Sequence, residues 1–420
     1  MIIFLILFLS PTTLIKPPFG HTLGYYRATP YELRMLLGKS ISFQEPQGIA
    51  CCKLKSLDDP KKGEDDDELT LYCTNSQANQ IVYNQSLKDL KVYGKLGSGV
   101  GECWWPGGIA ASPDGNVYVA DVENNRVVKL KNDIDSIRWV KVIGKFGCDT
   151  AEFDTPWDVA IDIEGKIWVA DRGNNRVQVF DSTGKFIRQI LDLSNPIAVA
   201  ITNENESWSY YKEEFLIVID EGGKRIQKFD SNGKLLVRSE MLESELSDCA
   251  IDYYSNIWVT DKEKGCVHKF DRFLKYITKV ERPDGGKFIS PRAIDIWKRF
   301  GQVFIVEQEA IDYFWVAVDG YIEGCYPAIF NPKEKGSTIS IYLTEPAYIS
   351  AKIYKNGDEV RDFLPVFMGA PFEQNIVWDG RNNKGEIVGP GEYEIKIILE
   401  PTYSSMGYFK KELETKVICE

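Results

Sequence analysis

Few side chains in this 420-residue chain have the type and spacing that catalysis requires. The two histidines, His21 and His268, are too few for a three-histidine zinc site, and His268 is expected in a structural role on a strand. The sequence contains no Gly-x-Ser-x-Gly elbow, no Walker motif and no dinucleotide fingerprint. Asp162, Asp252 and Asp295 are expected on strands around a common axis, where carboxylates could hold a metal ion. We therefore predict no catalytic residue, metal or cofactor, and a metal-dependent hydrolase or lyase is the alternative.

A second set of polar side chains recurs at one place in a repeated pattern. These acidic or amide residues are Asn75, Asp121, Asp171, Asp220, Asp261 and Glu307. Asp121 and Asp171 each end an apolar run and precede an Asn-Asn pair, where a short carboxylate accepts N–H bonds from a turn. Arg126 and Arg176 follow at the same spacing as partners for the two carboxylates. We interpret the set as structural positions that hold turns, and ligand binding is the alternative.

These residues belong to a repeat whose two best copies begin at Pro106 and Pro156 and share the core Val-Ala-Asp-x-x-Asn-Asn-Arg-Val. Each copy consists of short apolar runs separated by turn residues, which is typical of successive antiparallel strands. Weaker copies begin at Pro46, Pro196, Leu246 and Pro291. A β-strand repeat of roughly 40–50 residues is typical of a propeller, so the copies predict an all-β fold with six blades.

The shared core closely resembles the NHL repeat, a family that forms six-bladed β-propellers. The resemblance extends from Tyr31 to Tyr321, and it is strong in two copies and limited to spacing and apolar pattern in the others. It implies a propeller over residues 25–326. Because members of this family mostly bind partners and only a minority are enzymes, the resemblance favours a binding protein.

The N-terminal residues predict export and closure of the propeller. Ile2–Leu9 is an unbroken apolar run that is too short to span a bilayer and fits the hydrophobic part of a signal peptide over residues 1–20. No basic residue precedes this run, and a buried N-terminus is the alternative. Leu33–Leu37 is expected to form an outer strand that completes the sixth blade and covers an exposed sheet edge.

Beyond the repeat, alternating segments over residues 331–420 predict a small β-sandwich. Its motif Val-Trp-Asp-Gly-Arg-Asn-Asn-Lys-Gly places Trp378 as a core anchor, and Pro390-Gly391 sets the following hairpin. The motif resembles the immunoglobulin-like domain related to the flagellar hook-capping protein FlgD. In that family the domain commonly lies at the C-terminal end of exported bacterial proteins, which implies a periplasmic, cell-surface or extracellular location. We expect this domain to space or adapt the propeller without catalysing a reaction.

Composition narrows the class of partner. A net charge of -12 disfavours nucleic acid and anionic membrane surfaces. Apart from the leader, the sequence contains no segment long and apolar enough to span a membrane. The nine cysteines include no Cys-x-x-Cys motif, and Cys103 and Cys148 could form a disulfide or remain thiols. The acidic insertion at residues 57–68 and a second insertion at 203–212 are expected to be solvated loops, since calcium-loop spacing is missing.

Partner binding is predicted on the face where the chain enters each blade. The entering segment and the loop between the second and third strands must emerge on the same side. Aromatic and cationic side chains concentrate there, namely Trp104, Trp105, Trp157, Arg172, Lys262 and Arg292. Such side chains carry much of the binding energy at interfaces, although the tryptophans could instead pack between blades. We predict an exported, non-enzymatic protein that binds a protein, peptide or glycan, and a structural subunit of a surface assembly is a further alternative.

Overall fold

The computed structural model describes residues 13–18, 27–39, 41–57, 69–85, 89–368 and 372–420. The apolar run Ile2–Leu9, His21 and most of the acidic insertion lie outside these residues. The chain divides into a repeat unit (Pro17–Tyr276 with Lys287–Phe314) and a C-terminal unit (Met1–Lys16, Ile277–Gly286 and Trp315–Glu420). Within the described residues, no helix has the length and apolar character needed to cross a membrane.

The described part begins with two short strands and one helix, which are β1 (Leu14–Ile15), β2 (Arg27–Ala28) and α1 (Pro30–Leu37). Leu33–Leu37 is therefore helical, and the prediction of a strand there is wrong. The reason is a capping box, in which the Thr29 hydroxyl accepts the N–H of Glu32 while the Glu32 carboxylate accepts the N–H of Thr29. Pro30 in the first turn has the fixed φ angle that a helix start requires.

Five four-stranded antiparallel sheets follow, each in chain order. The first sheet contains β3 (Pro46–Cys52), β4 (Thr70–Asn75), β5 (Gln80–Gln85) and β6 (Asp89–Tyr93). The second contains β7 (Pro106–Ala111), β8 (Asn116–Asp121), β9 (Arg126–Asn132) and β10 (Ile137–Ile143), with a short 3-10 turn at Val122–Asn124. The third contains β11 (Pro156–Ile161), β12 (Ile167–Asp171), β13 (Arg176–Phe180) and β14 (Phe186–Ile190).

The fourth sheet contains β15 (Ala198–Thr202), β16 (Phe215–Asp220), β17 (Arg225–Phe229) and β18 (Leu235–Arg238). The fifth contains β19 (Leu246–Ile251), β20 (Ile257–Asp261), β21 (Cys266–Phe270) and β22 (Tyr276–Val280). Each first strand begins at or just after the predicted start of a repeat copy. The predicted all-β class with repeated four-stranded sheets is confirmed.

The sixth sheet combines strands from both ends of the repeat. It contains β23 (Ala293–Trp297), β24 (Gln302–Val306) and β25 (Ile311–Val316), and both β1 and β2 pair with β25. Leu14 lies opposite Val316, and Arg27 lies opposite Asp312. The Arg27 guanidinium donates to the fully buried carboxylate of Glu307 at 2.7 Å. The N-terminal segment thus covers an edge of this sheet through β1 and β2, and Leu33–Leu37 takes no part in the pairing.

The first strands β3, β7, β11, β15, β19 and β23 contact one another in cyclic order, and β23 contacts β3. Apolar side chains pack between successive sheets in separate clusters. Tyr83 and Val119 share one such cluster, and Trp168 and Leu216 share another. Because the second strand of a sheet is covered on both faces, β12 is buried at every residue and its sequence is a nearly continuous apolar run. The six first strands therefore surround a common axis.

The C-terminal unit contains two sheets around one apolar core. The three-stranded sheet consists of β26 (Gly320–Tyr326), β28 (Ser337–Leu343) and β31 (Phe372–Trp378). The five-stranded sheet consists of β27 (Ile329–Phe330), β33 (Lys411–Cys419), β32 (Gly391–Pro401), β29 (Ala347–Lys355) and β30 (Asp358–Met368). Trp378 is fully buried, and its ring centroid lies 5.4 Å from that of Phe330 and 5.0 Å from that of Tyr393. Its Nε1–H donates to the carbonyl oxygen of Arg381, so the polar end of the indole is also satisfied.

All nine cysteines lie in described residues, and none forms a disulfide. Cys103 is buried whereas Cys148 is exposed, so the disulfide considered between them is not formed. Burial raises the pKa of the Cys103 thiol to about 12, and burial also raises the pKa of Cys73. At neutral pH these two side chains are therefore protonated and pack as small apolar groups.

Candidate binding site at the sheet entrances

Asp171 ends β12 and is fully buried, and its carboxylate joins three parts of the third sheet. Oδ1 accepts the backbone N–H of Asp154 at 2.9 Å. Oδ2 accepts Nε of Arg176 at 2.7 Å and Nε2 of Gln178 at 3.0 Å. Arg176 also donates to two carbonyl oxygens of the segment that enters the sheet. This group of contacts clamps the entering segment to the third strand.

The equivalent side chains make similar contacts in other sheets. Asp121 accepts the backbone N–H of Trp104 and Nε of Arg126, both at 2.7 Å. Asn75 and Asp220 each accept a backbone N–H from the segment that enters their own sheet. Burial raises the pKa of Asp121 and Asp220, and the hydrogen bonds oppose that shift. The structure therefore places these recurring polar residues inside the sheets, where they hold turns and entering segments.

The fifth sheet departs from this pattern. Cys266 stands where the second and third sheets place an arginine, and His268 contacts Oδ2 of Asp261 through Nε2 at 2.9 Å. The hydroxyl of Ser244, from the entering segment, also donates to this carboxylate. Burial on its own would raise the pKa of Asp261, but the hydrogen bonds from His268 and Ser244 hold the pKa well below its ordinary value. His268 is thus part of a polar cluster that the sequence alone did not reveal.

Three of the six residues predicted to bind a partner meet at one cavity. Trp157, Arg172 and Lys262 line a cavity of about 120 Å³ in the repeat unit. The first-strand residues Asp158 and Asp248 also line it. The cavity therefore lies where the first strands of the third and fifth sheets begin, on the face that the sequence predicted.

The Arg172 side chain is held on two sides. Its guanidinium carbon lies 4.3 Å from the centroid of the Trp157 ring, which is the geometry of a cation–π contact. Its Nε donates to Oδ1 of Asn195 at 2.6 Å. Within the described residues, neither terminal guanidinium nitrogen has a hydrogen-bond acceptor. Beside it, Lys262 pairs with Glu245 at 2.8 Å, whereas Arg172 forms no ion pair within the described residues.

The other three predicted residues lie outside this cavity. Trp104 is half exposed, with 50% of its surface accessible. Trp105 has a left-handed backbone (φ 55°), and its N–H donates to Oδ1 of Asn79, so its position is determined by the connection between two sheets. Arg292 forms an ion pair with Glu45 at 2.6 Å. These three side chains therefore do not form one site with Trp157.

The carboxylates proposed for a metal site are placed differently from the prediction. Asp162 and Asp252 lie in the turns after the first strands, where each accepts a backbone N–H across its own turn. Asp158 and Asp248 are instead the acidic residues on the first strands, and sequence reasoning missed them. The sequence did contain a signal for them, because Asp158 and Asp248 each lie two residues after a predicted repeat start, Pro156 and Leu246. Of the original three, Asp295 alone lies on a first strand.

Each first-strand carboxylate accepts a backbone N–H from the first strand of the next sheet in the ring. Asp158 accepts that of Val199 at 2.8 Å, Asp248 that of Ile294 at 3.0 Å, and Asp295 that of Cys51 at 2.6 Å. Burial raises the pKa of Asp158 to about 7. Burial, followed by the charge of Asp158, also raises the pKa of Asp248 well above its ordinary value. The hydrogen bonds of these carboxyl groups therefore join neighbouring sheets, and burial makes Asp158 and Asp248 harder to ionise than exposed aspartates.

A second, larger cavity of about 480 Å³ in the repeat unit is also lined by Asp158 and Asp248, so the two cavities share these residues. Its wall is mostly apolar and includes Ile49, Val159 and Ile251. Trp208 and Arg299 also line it, with the guanidinium carbon 4.6 Å from the indole centroid.

Comparisons with known proteins agree with this architecture. Residues 104–130 and 153–180 match the family model of the NHL repeat. The repeated four-stranded sheets and these matches together define an NHL propeller fold. No curated protein matches the chain.

Solved structures with a similar fold include two enzymes and a surface protein. Virginiamycin B lyase from Staphylococcus aureus is 15% identical, with a TM-score of 0.46, and the match covers 65% of this chain and 96% of the lyase. A gluconolactonase from Xanthomonas campestris is 13% identical, with a TM-score of 0.47 and coverages of 74% and 99%. PorZ, a bacterial surface component of the type-IX secretion system of Porphyromonas gingivalis, is 14% identical, with a TM-score of 0.45 and coverages of 89% and 51%. None of these likenesses assigns an activity to this chain.

Proposed function

We propose that this chain is an exported, non-enzymatic binding protein whose propeller has six blades and whose C-terminal unit is an immunoglobulin-like domain of the FlgD-related type. The six sheets with first strands in cyclic contact support the number of blades. The buried Trp378 and the two sheets around one core support the C-terminal assignment. Export is supported by the apolar run Ile2–Leu9 and by the FlgD-like motif.

The observation that carries the binding proposal is the meeting of Trp157, Arg172 and Lys262 at one cavity. A guanidinium that is already fixed by an aromatic ring and an amide loses little conformational freedom when it binds a ligand. Its two terminal nitrogens can then donate to both oxygens of a carboxylate. The partner group that fits this site best is therefore an acidic one.

The size of the cavity indicates how much of a partner it can accept. Pockets that enclose whole small ligands usually have volumes of roughly 300–1,000 Å³. At about 120 Å³, this cavity has room for one carboxylate head group and not for a complete ligand. We therefore propose that it accepts an acidic side chain of a protein or peptide, or a uronic-acid group of a glycan, while the rest of the partner lies on the surrounding face.

The first-strand carboxylates argue against the metal-dependent hydrolase alternative. Burial raises the pKa values of Asp158 and Asp248, so an ion at this place would have to compete with protons for both carboxyl groups. Both groups also accept a backbone N–H from a neighbouring sheet. Asp158 and Asp248 therefore fit the role of structural links between sheets better than the role of metal ligands.

Binding of polymers with opposite charges to the full-length protein tests the proposal. We expect polygalacturonate and poly-glutamate to bind in a manner that depends on Arg172, and neutral dextran not to bind. Poly-lysine should bind through the net charge of -12, and this binding should not depend on Arg172. Arg172→Ala should weaken binding of the acidic polymers by roughly 10- to 100-fold, since hydrogen bonds to charged groups contribute roughly 1.5–3 kcal/mol. Arg138→Ala is the matched control, because Arg138 is an exposed arginine on β10 that pairs with Asp133.

Equal binding of the acidic polymers by wild type, Arg172→Ala and Arg138→Ala would mean that other basic side chains attract them, and the proposed site would then be wrong. Absence of binding to either acidic polymer would overturn the assignment of an acidic partner group. Isolation of the wild-type protein only as large particles would favour the structural-subunit alternative. Size-exclusion chromatography of each preparation distinguishes that outcome.

A further inference from the structure

The fifth sheet contains a group of metal-ligand side chains that has no role in the binding proposal. Oδ2 of Asp261 lies 2.9 Å from Nε2 of His268, and that nitrogen lies 3.8 Å from Sγ of Cys266. All three ligand atoms lie within 4.8 Å of one another. Among the described residues, this is the one group of three or more His, Cys, Asp or Glu side chains with such spacing.

A comparison with the third sheet indicates what this group replaces. There, Asp171 is neutralised by Arg176, while Gln178 adds a further hydrogen bond. Cys266 and His268 occupy the positions of Arg176 and Gln178 relative to the aspartate. The fifth sheet therefore keeps the buried carboxylate and replaces the guanidinium cation with a thiol and an imidazole. A bound cation would restore the charge balance that the arginine provides elsewhere.

We propose that Asp261, Cys266 and His268 form a zinc-binding site that holds the entrance of the fifth sheet. One sulfur, one nitrogen and one oxygen donor are a set that Zn²⁺ accepts, whereas Mg²⁺ and Ca²⁺ prefer oxygen donors alone. Tetrahedral zinc with bonds of about 2.0–2.3 Å requires donors roughly 3.3–3.8 Å apart. The separation of His268 and Cys266, 3.8 Å, already fits, and that of His268 and Asp261 fits once it lengthens by about half an ångström as zinc replaces the proton between them. Asp261 and Cys266 lie within 4.8 Å of each other, so zinc binding would draw these two side chains together by at most about 1 Å.

The surroundings of the three side chains favour one tightly held ion. Asp261 and Cys266 are buried, and 13% of the His268 side chain is exposed, which leaves an entry path beside the imidazole. The rings of Phe270 and Tyr276 pack against the imidazole with centroids 6.5 Å and 5.9 Å away, which limits its rotation.

Two further groups reach the Asp261 carboxylate. The hydroxyl of Ser244 donates to Oδ2 and can orient the carboxylate or complete the coordination. The ammonium group of Lys264 lies 4.0 Å from Oδ2 on an exposed side chain, where a single ion pair compensates little charge. Neither group provides the buried positive charge that the arginine supplies in the third sheet.

The site would connect two parts of the fifth sheet. The aspartate ends β20, and the other two ligands lie at the start of β21. Ser244 belongs to the entering segment, and its neighbour Glu245 pairs with Lys262 at the rim of the smaller cavity. Zinc would thus fix the segment that enters the fifth sheet beside that cavity. Arg176 fixes the segment that enters the third sheet in the same way.

Cobalt titration of the full-length protein tests this site directly. The chelator-treated protein, kept reduced, should bind one equivalent of Co²⁺ and show a thiolate-to-cobalt charge-transfer band that one equivalent of Zn²⁺ removes. Cys266→Ser and His268→Gln should each lose the band. The double variant Cys266→Arg with His268→Gln recreates the ligands of Asp171, so it should fold without metal and show no band. Cys148→Ser is the control, because this exposed cysteine is not part of the site, and it should keep the band.

The effect of zinc on unfolding provides a second, independent measurement. Zinc at 100 times its dissociation constant should raise the ratio of folded to unfolded wild-type protein about 100-fold and leave that ratio unchanged in the double variant. Absence of a cobalt band in the folded wild-type protein would overturn the proposal. A band that persists in the folded double variant would place the metal elsewhere and would also overturn it.

Discussion

The guanidinium of Arg172 stacks on the ring of Trp157, 4.3 Å from its centroid, while its Nε hydrogen-bonds to Asn195 in the segment that enters the fourth sheet. One side chain therefore contacts two consecutive sheet entrances. Trp157 also packs against the apolar cluster between the fourth and fifth sheets. Trp157 consequently belongs both to the cavity wall and to the packing between sheets. Experiments on this site must therefore measure stability together with binding.

Replacing Trp157 separates these two roles. Trp157→Ala should reduce the free energy of unfolding by about 2 kcal/mol, less than for a fully buried tryptophan, because the residue is partly exposed. Trp157→Phe should retain most of this stability yet bind acidic polymers more weakly, since phenylalanine offers a smaller face for the guanidinium. Urea unfolding and polymer binding measured on the same preparations check both effects. Normal binding by a destabilised Trp157→Ala protein would show that the residue acts only in packing.

The raised pKa of Asp158 predicts a stability that depends on pH. Burial raises this pKa to about 7, so the folded protein holds more protons than the unfolded chain between about pH 4 and pH 7. Stability should therefore fall as pH rises through this window and level off above it.

Asp158→Asn removes the ionisation while keeping an oxygen that can accept the N–H of Val199. We expect the variant to be more stable than wild type at pH 8 by on the order of 1–3 kcal/mol, and the two proteins to converge near pH 4. Urea unfolding across this range measures the difference. Asp114→Asn, at an exposed turn residue, should follow the wild-type curve. A pH-independent difference would contradict the assignment.

The ion pair between Arg27 and Glu307 predicts that the N-terminal strands contribute to global stability. Arg27→Ala leaves a fully buried carboxylate without this partner and should cost about 2–4 kcal/mol. The double variant Arg27→Ala with Glu307→Gln should recover part of the loss, because it also removes the buried charge that Arg27 balanced. Urea unfolding of wild type, both single variants and the double variant gives a double-mutant cycle, which measures the interaction energy of the pair. If the urea midpoint of unfolding were the same in Arg27→Ala as in wild type, the ion pair would contribute nothing to global stability, and β2 would be frayed from the sheet.

The arginine clamps predict a contrast between buried and exposed ion pairs. Arg176→Ala should destabilise the protein by about 2–4 kcal/mol, since Asp171 stays buried without its cation. Arg138→Ala should change stability by no more than about 1 kcal/mol, because its partner Asp133 is solvated. Thermal unfolding of both variants checks the difference. Similar losses in the two variants would contradict the clamp interpretation.

Local patterns in the sequence predicted the repeated sheets well, because each strand ends at turn residues and each sheet contains its own apolar faces. The helix α1 was missed, although the capping pair Thr29 and Glu32 and the first-turn Pro30 were present as local signals. A strand was expected there because the segment before Pro46 resembles the segment before Pro106, but the hydrogen bonds at the helix start determined the structure.

The candidate site was only partly predictable for a different reason. Trp157, Arg172 and Lys262 lie on strand ends or turns that the repeat fixes, so their common face followed from topology. Which residues meet at a cavity depends on the packing of non-neighbouring sheets, which periodicity does not encode. The cluster at Asp261 was missed because His268 was aligned with apolar strand residues, and the replacement of the recurring arginine by Cys266 was not considered.

The pairing of β1 and β2 with β25 has a consequence for the order in which the protein folds. Arg27 and Glu307 are 280 residues apart in sequence, so the sixth sheet cannot form while the ribosome is still making the earlier ones. During synthesis the segments of β1 and β2 must stay hydrated and without their partner strand, and they pair with β25 only in a late step that carries a loop-closure entropy. Before that step an open arc of sheets presents two free edges, which is the state most exposed to aggregation.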